Sequence, residues 1–165
     1  MNEKVNIAVV DDHKLFRSGL INLIHSLNSD YQVSLQANNG EELLELLDHT
    51  DLPDIVLLDS NMPILDGYAT ASILQKEYKE LKVLIITMNT DEQSMIRMLK
   101  LGVRGYIGKD VEPEELNQAL HHILEKGYYY TDQLTGQLIQ ALNTPPKVLT
   151  ENQNLTCLLY TSRRG

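Results

Sequence analysis

The chain has 165 residues, 42% hydrophobic and 22% charged, with no Trp and one Phe; this suffices for one domain with an aliphatic core plus a short extension, and excludes disorder throughout or two full-sized domains. Acidic residues outnumber basic ones 23 to 14, a formal charge of −9, which excludes the basic surface of a free-standing nucleic-acid binder and does not suit an anionic membrane. The imbalance is uneven, with 22 acidic and 11 basic residues in 1–145, so composition shifts near residue 145.

Short apolar runs alternate with amphipathic segments, the pattern of repeated strand-helix units, and five units can be counted. Strands are predicted at 5–10, 31–37, 55–58, 83–86 and around Tyr106 and Ile107. The first, third and fourth read as unbroken apolar runs, as strands covered on both faces should, and belong in the sheet centre. The second alternates Val33, Leu35 and Ala37 with Gln32, Ser34 and Gln36, which suits an edge with one wetter face; the fifth, the shortest, is the other edge. Edges at strands two and five match an α/β fold of flavodoxin-like (βα)5 type, a doubly wound parallel sheet of order 2-1-3-4-5.

Helical spacing links Leu15, Phe16, Leu20, Leu23, Ile24 and Leu27, then Leu43, Leu44, Leu46 and Leu47, then Ala69, Ala71, Ile73 and Leu74. Met95, Ile96, Met98 and Leu99 give a fourth helix stopped by Gly102, and a fifth starts at Pro113 and ends before Gly127. A further short helix is predicted over 133–142, and Asn143 to Lys147, with Pro145 and Pro146, reads as a linker.

In an open parallel sheet the functional crevice lies beyond the carboxyl ends of the strands. The residues there are Asp11 and Asp12 after the first run, Asp59 after the third, Thr87 after the fourth and Lys109 after the fifth. Carboxylates gathered this way repel unless a cation sits among them, and Mg2+ answers that need with a few carboxylates and retained waters. A carboxylate beside a metal, a hydroxyl and an ammonium is a workable phosphoryl acceptor. Asp59 stands alone and is the natural nucleophile; Asp11 and Asp12 are placed to hold metal, Thr87 to hydrogen-bond the transferred group and Lys109 to pair with its charge. Taken singly, each has a plainer role: an aspartate after a strand is often a helix cap or turn former, a threonine ordinary strand sequence, a lysine a solvated charge. Joint placement at four strand ends favours the site.

Over about residues 4–126 the chain resembles a receiver domain of two-component response regulators. Residues 10–20 (VDDHKLFRSGL) are similar to the opening of the NarL/FixJ (LuxR-type) subfamily, 53–67 (PDIVLLDSNMPILDG) resemble the phosphorylation segment, and 105–110 (GYIGKD) follow the same subfamily. The resemblance implies that Asp59 takes a phosphoryl group from a sensor histidine kinase. It further implies that Asp12, Asp59 and the backbone carbonyl of Asn61 hold Mg2+ with Asp11 acting through a water, and that Thr87 and Tyr106 form a switch pair. On sequence alone Tyr106 reads first as an edge-strand aromatic filling the core. Met88 stands after Thr87 where relatives often have a smaller residue, which bears on access to the pocket; Asn61 and Asn89 also border it.

His121 and His122 are adjacent on a helix, about 100 degrees apart, and cannot form an i, i+4 metal pair, so they read as surface residues. His13, near the acids, reads as a helix-start residue before a pocket contact, and Tyr128 to Tyr130 as packing for the last helix before cover for an interface or domain junction. Residues 148–153 (VLTENQ) resemble the opening of the subfamily's helix-turn-helix domain, but too few residues follow to supply it, so DNA contact is expected only through an output domain missing here. Residues 157–162 (CLLYTS) match a translated sequencing-adaptor end, the other reading being an ordinary tail with an idle Cys157. The expected organisation is thus a receiver domain over 1–127, a helical extension and linker over 128–148, and a remnant followed by a non-native tail over 149–165. A single cysteine, the lack of a signal-peptide pattern and the lack of a long apolar run point to a cytoplasmic protein. The expected function is a phosphorylation-controlled, non-enzymatic regulator of transcription with a kinase partner and homodimerisation on phosphorylation; the alternative is a stand-alone receiver acting through protein contacts. A Mg2+-dependent phosphatase would need an Asp two residues after its nucleophile, where Asp11 is followed by His13 and Asp59 by Asn61. A flavin domain would need a phosphate-binding loop in place of the acids.

Overall fold

A computed structural model describes residues 4–88, 91–131, 135–136, 139–140 and 143. Five strands, β1 (Val5–Val10), β2 (Tyr31–Ala37), β3 (Ile55–Asp59), β4 (Lys82–Thr87) and β5 (Gly105–Gly108), alternate with α1 (Lys14–Leu27), α2 (Gly40–Leu47), α3 (Gly67–Glu77), α4 (Glu92–Leu101) and α5 (Pro113–Lys126). The strands are all parallel, in the order β2-β1-β3-β4-β5, the flavodoxin-like arrangement.

Local chemistry sets the element ends. Asn39, Asp66 and Asp91 cap α2, α3 and α4 by accepting from the amides of Glu42, Ala69 and Ser94. Pro113 opens α5, and Gly102 and Gly127, at φ of 104° and 95°, close α4 and α5 in the left-handed conformation. Asp59 and Thr87 lie within their strands, one residue past the predicted ends, because each still pairs across the ladder: Asp59 opposite Ile86, Thr87 opposite Gly108. Every position of β3 and β5 is buried, and all of β4 but its first residue, whereas β2 exposes Gln32, Ser34 and Gln36, the alternation its sequence carries.

The core on one face joins Ile7, Val9, Leu57, Leu84 and Ile86 to Leu20 and Ile24 of α1 and to Leu116, Leu120 and Ile123 of α5. The intervening strand residues, among them Val56, Leu58, Val83 and Ile85, are equally buried and face the other way. The outer edge of β5 is covered: Tyr129 bridges to Gly105 in parallel, and its amide donates to the Arg104 carbonyl at 2.8 Å. Residues Met1–Tyr130 accordingly cluster as one compact unit, and Thr131–Gly165 as a second. Of the stretch 133–142, Thr135, Gly136, Ile139 and Gln140 are described and are helical. Asn89, most of the predicted linker and all of 144–165 with Cys157 lie outside the described residues. Among the described residues no helix is long and apolar enough to cross a membrane.

Candidate functional site

The carboxyl ends of β1, β3, β4 and β5 bring Asp11, Asp59, Thr87 and Lys109 into one crevice, as their sequence positions predict. Asp11 leaves β1 still tied to the sheet, its amide donating to the Ala37 carbonyl at 3.1 Å. Lys109 leaves β5 with its amide on the Thr87 carbonyl at 2.8 Å, and its side chain turns back over the ring of Phe16 on α1. Its ammonium stands 2.8 Å from Asp11 Oδ2 and 3.4 Å from Asp59 Oδ2, with all three side chains nearly inaccessible to water. Asp12 is half-buried beside them, and Thr87 is wholly buried.

Two carboxylates and one ammonium leave a deficit of positive charge. Burial raises the pKa of Asp59 above its ordinary value, the neighbouring Asp11 carboxylate raises it further, and Lys109 and the Asn61 amide act in the opposite sense. Asp11 Oδ2, Asp12 Oδ1 and Asp59 Oδ2 are enclosed, with the Lys109 ammonium facing the first and the last and the His13 ring 3.6 Å from the second. Ligand atoms of Asp11, Asp12, His13 and Asp59 lie within 4.8 Å of one another. Three carboxylates converging from two strands on a single ammonium, with lone pairs to spare, are a donor set that fits a hard divalent cation.

Asn61 is exposed and donates its amide to Asp59 Oδ1 at 3.3 Å. Met88 is 76% exposed, and Tyr106 is buried in β5, its hydroxyl pKa pushed up to about 12 by burial and secondarily by Asp91. Three further residues contribute; the sequence ranks a pocket contact second for His13 and does not single out Arg17 or Ser60. His13 does start α1, at its N-cap position, yet its ring lies 3.3 Å from Asp11 and 3.6 Å from Asp12, and its amide donates to Asp11 Oδ1. Arg17 spans from the Asp11 carbonyl, at 2.6 Å, to Asn38 beyond β2. The Ser60 hydroxyl meets that of Thr87 at 2.5 Å. Adjacency of His13 to the acid pair was the one available signal; the other two contacts arise only once strands and loops are placed. His121 is exposed, as predicted, while His122 packs against Tyr129 with ring centres 5.6 Å apart. Tyr129 is buried, and Tyr130 donates its hydroxyl to the Val103 carbonyl.

Nitrate/nitrite response regulator protein NarL of Escherichia coli (strain K12) is 35% identical to this chain over 140 residues, covering 85% of the chain and 64% of that protein. Transcriptional regulatory protein DegU of Brevibacillus brevis is 32% identical over 145 residues, covering 85% and 61%. The chain thus spans less than two thirds of the length of either relative. The solved signal receiver domain of a NarL response regulator from Mycobacterium tuberculosis superposes with a TM-score of 0.69 at 32% identity, over 75% of this chain and 98% of that one. Residues 7–121 match the family model of the response regulator receiver domain, and with its 2-1-3-4-5 sheet and its acids at the strand ends the chain belongs to that family.

Proposed function

We propose that Asp59 accepts a phosphoryl group from the phosphohistidine of a sensor kinase and that the modified pocket changes the surface of the domain. The observation that carries the reading is the buried triangle of Asp11, Asp59 and Lys109, in which one carboxylate is held beside a fixed ammonium. In the transfer the P–N bond to the donor imidazole breaks with its electron pair going to nitrogen, and a P–O bond forms to an Asp59 carboxylate oxygen. Lys109 neutralises charge on the phosphoryl oxygens, and Thr87 donates its hydroxyl proton to one of them. Asp11, Asp12, Asp59 and the Asn61 carbonyl are assigned to Mg2+, which when bound supplies further charge neutralisation at the same oxygens. Tyr106, buried within the neighbouring strand β5, is assigned as the partner of Thr87 in the surface change.

The named relatives are a transcriptional regulatory protein and a nitrate/nitrite response regulator, and their likeness supports control of transcription as the output, with DNA contact made outside the described residues. The proposed organisation keeps the receiver over 1–127, a helical extension and linker over 128–148 and a remnant with a non-native tail over 149–165; the proposed setting is the cytoplasm, with homodimerisation following phosphorylation.

Incubation with Mg2+ and acetyl phosphate, followed by intact-mass measurement, tests the reaction. A single phosphoryl adduct that requires Mg2+ and disappears in Asp59→Asn is expected. Absence of an adduct on folded wild-type protein, or its persistence in Asp59→Asn, overturns the assignment.

A further inference from the structure

Ser60 follows the proposed acceptor in sequence, and β3 and β4 run in register so that Asp59 pairs with Ile86 and the next residues, Ser60 and Thr87, meet side by side. Their hydroxyl oxygens lie 2.5 Å apart. Both ends of this contact are fixed by backbone. The Thr87 carbonyl accepts from Lys109 and its side chain is fully buried. The Ser60 carbonyl accepts from the Gly67 amide at 3.1 Å, and Gly67 comes so close that a Cβ there would sit 2.5 Å from Ser60 Cα. Neither hydroxyl can leave the other by a simple shift of the chain.

Each hydroxyl carries one proton, and only one of the two protons lies between the oxygens. If Thr87 donates to Ser60, it has nothing left to offer a phosphoryl oxygen. If Ser60 donates, Thr87 keeps its proton, its torsion is set by the bond it accepts, and its own donation is strengthened by being second in a chain of two. We propose that Ser60 is a positioning residue for Thr87: it donates to Thr87 Oγ1 and thereby holds the Thr87 proton available for the group transferred to Asp59. This inference rests on Asp59 as acceptor and on Thr87 as donor to the transferred group. It adds to them a residue that acts through Thr87 rather than on the reacting atoms.

The test uses the full chain with Mg2+ and acetyl phosphate, in which the P–O bond to acetate breaks, acetate leaves and a P–O bond forms to Asp59. Rates of adduct formation are measured for wild type, Ser60→Ala, Thr87→Ala and the double variant, with thermal unfolding followed in parallel. Ser60→Ala is expected to slow phosphorylation about fivefold, the equivalent of one neutral hydrogen bond, and to have no further effect in the Thr87→Ala background. Ser60→Thr, which restores a hydroxyl, is expected to recover the rate. Ser60→Cys keeps the volume and loses the strong donor, and carries the same expectation as alanine if alanine perturbs folding. An unchanged rate in Ser60→Ala, or an equal slowing with and without Thr87, overturns the proposal, the second result meaning that Ser60 touches the phosphoryl group itself. A wild type that takes no adduct overturns the reading of Asp59, and this proposal with it; an adduct with Ser60-independent rates overturns this proposal alone.

Discussion

Asp59 carries its charge against its surroundings: burial and the Asp11 carboxylate favour its protonated form, and Lys109 offsets them only in part. In the unfolded chain its pKa returns to about 3.8, so from there up to the raised folded value the native state binds more protons than the unfolded one. Stability therefore falls as pH rises through that window, and the loss persists above it. Asp59→Asn, uncharged at every pH, is expected to be more stable than wild type at neutral pH in the presence of a chelator, with the difference shrinking as pH falls towards 3.8. Denaturant titrations of both proteins across this range check it; a mutant less stable at neutral pH would show that the Lys109 pairing outweighs the crowding. The acids themselves were legible in the sequence because each follows an apolar run, and strand ends converge in any parallel sheet. Ser60 and Arg17 were not, because their partners Thr87 and Asn38 are distant in sequence and nothing in residue type singles them out. Ile64 was equally hidden: it holds φ 67°, a region costly for a β-branched residue, and is 73% exposed in the loop after Asp59.

At the scale of elements, hydrophobic period carried most of the reading. The apolar spacing of α1 places Leu20 and Ile24 in the core, and the alternation of β2 survives as its exposure pattern. What period does not report is whether a residue suits its element. Gly19 lies in the middle of α1, with ordinary helical backbone, an exposed position and nothing within 4 Å of where a Cβ would stand. It borders a cavity of about 350 Å3 lined by Leu15, Phe16, Leu23, Val111 and Leu116. Glycine there costs helix stability through backbone entropy without providing a turn or a close approach. Gly19→Ala is expected to stabilise the protein by about 1 kcal/mol, measured by denaturant unfolding, while leaving the phosphorylation rate within twofold. A destabilised variant would mean that α1 needs flexibility at this point. Gly67 is the contrasting case: a Cβ there would lie 2.4 Å from the Asp59 carbonyl oxygen, so that glycine is required for α3 to start against β3.

For the molecule as a whole, the sheet has two edges with different solutions. β2 is polar along its outward positions, whereas β5 is buried throughout although it ends the sheet. An apolar edge strand left open is a template for pairing with another chain, and the segment after α5 prevents this. Gly127 turns the chain out of α5, its carbonyl accepts from Arg104 at 2.9 Å, and Tyr129 then pairs with β5 and enters the core cluster with its ring. The sequence offered only three consecutive tyrosines, and one bridge pair is too short to read as a strand. A chain of residues 1–130 contains this whole core and is expected to fold, whereas one ending at Lys126 loses the Arg104 tie, the β5 cover and a buried aromatic ring. The shorter chain is expected to be less stable by about 3 kcal/mol, on the scale of removing a large aromatic from a core, and to associate through its uncovered edge. Denaturant unfolding and sedimentation of the two chains decide the matter. Equal stability and a shared monomeric state would mean that α5, through Leu116, Leu120 and Ile123, holds the β5 side of the sheet without help from Tyr129.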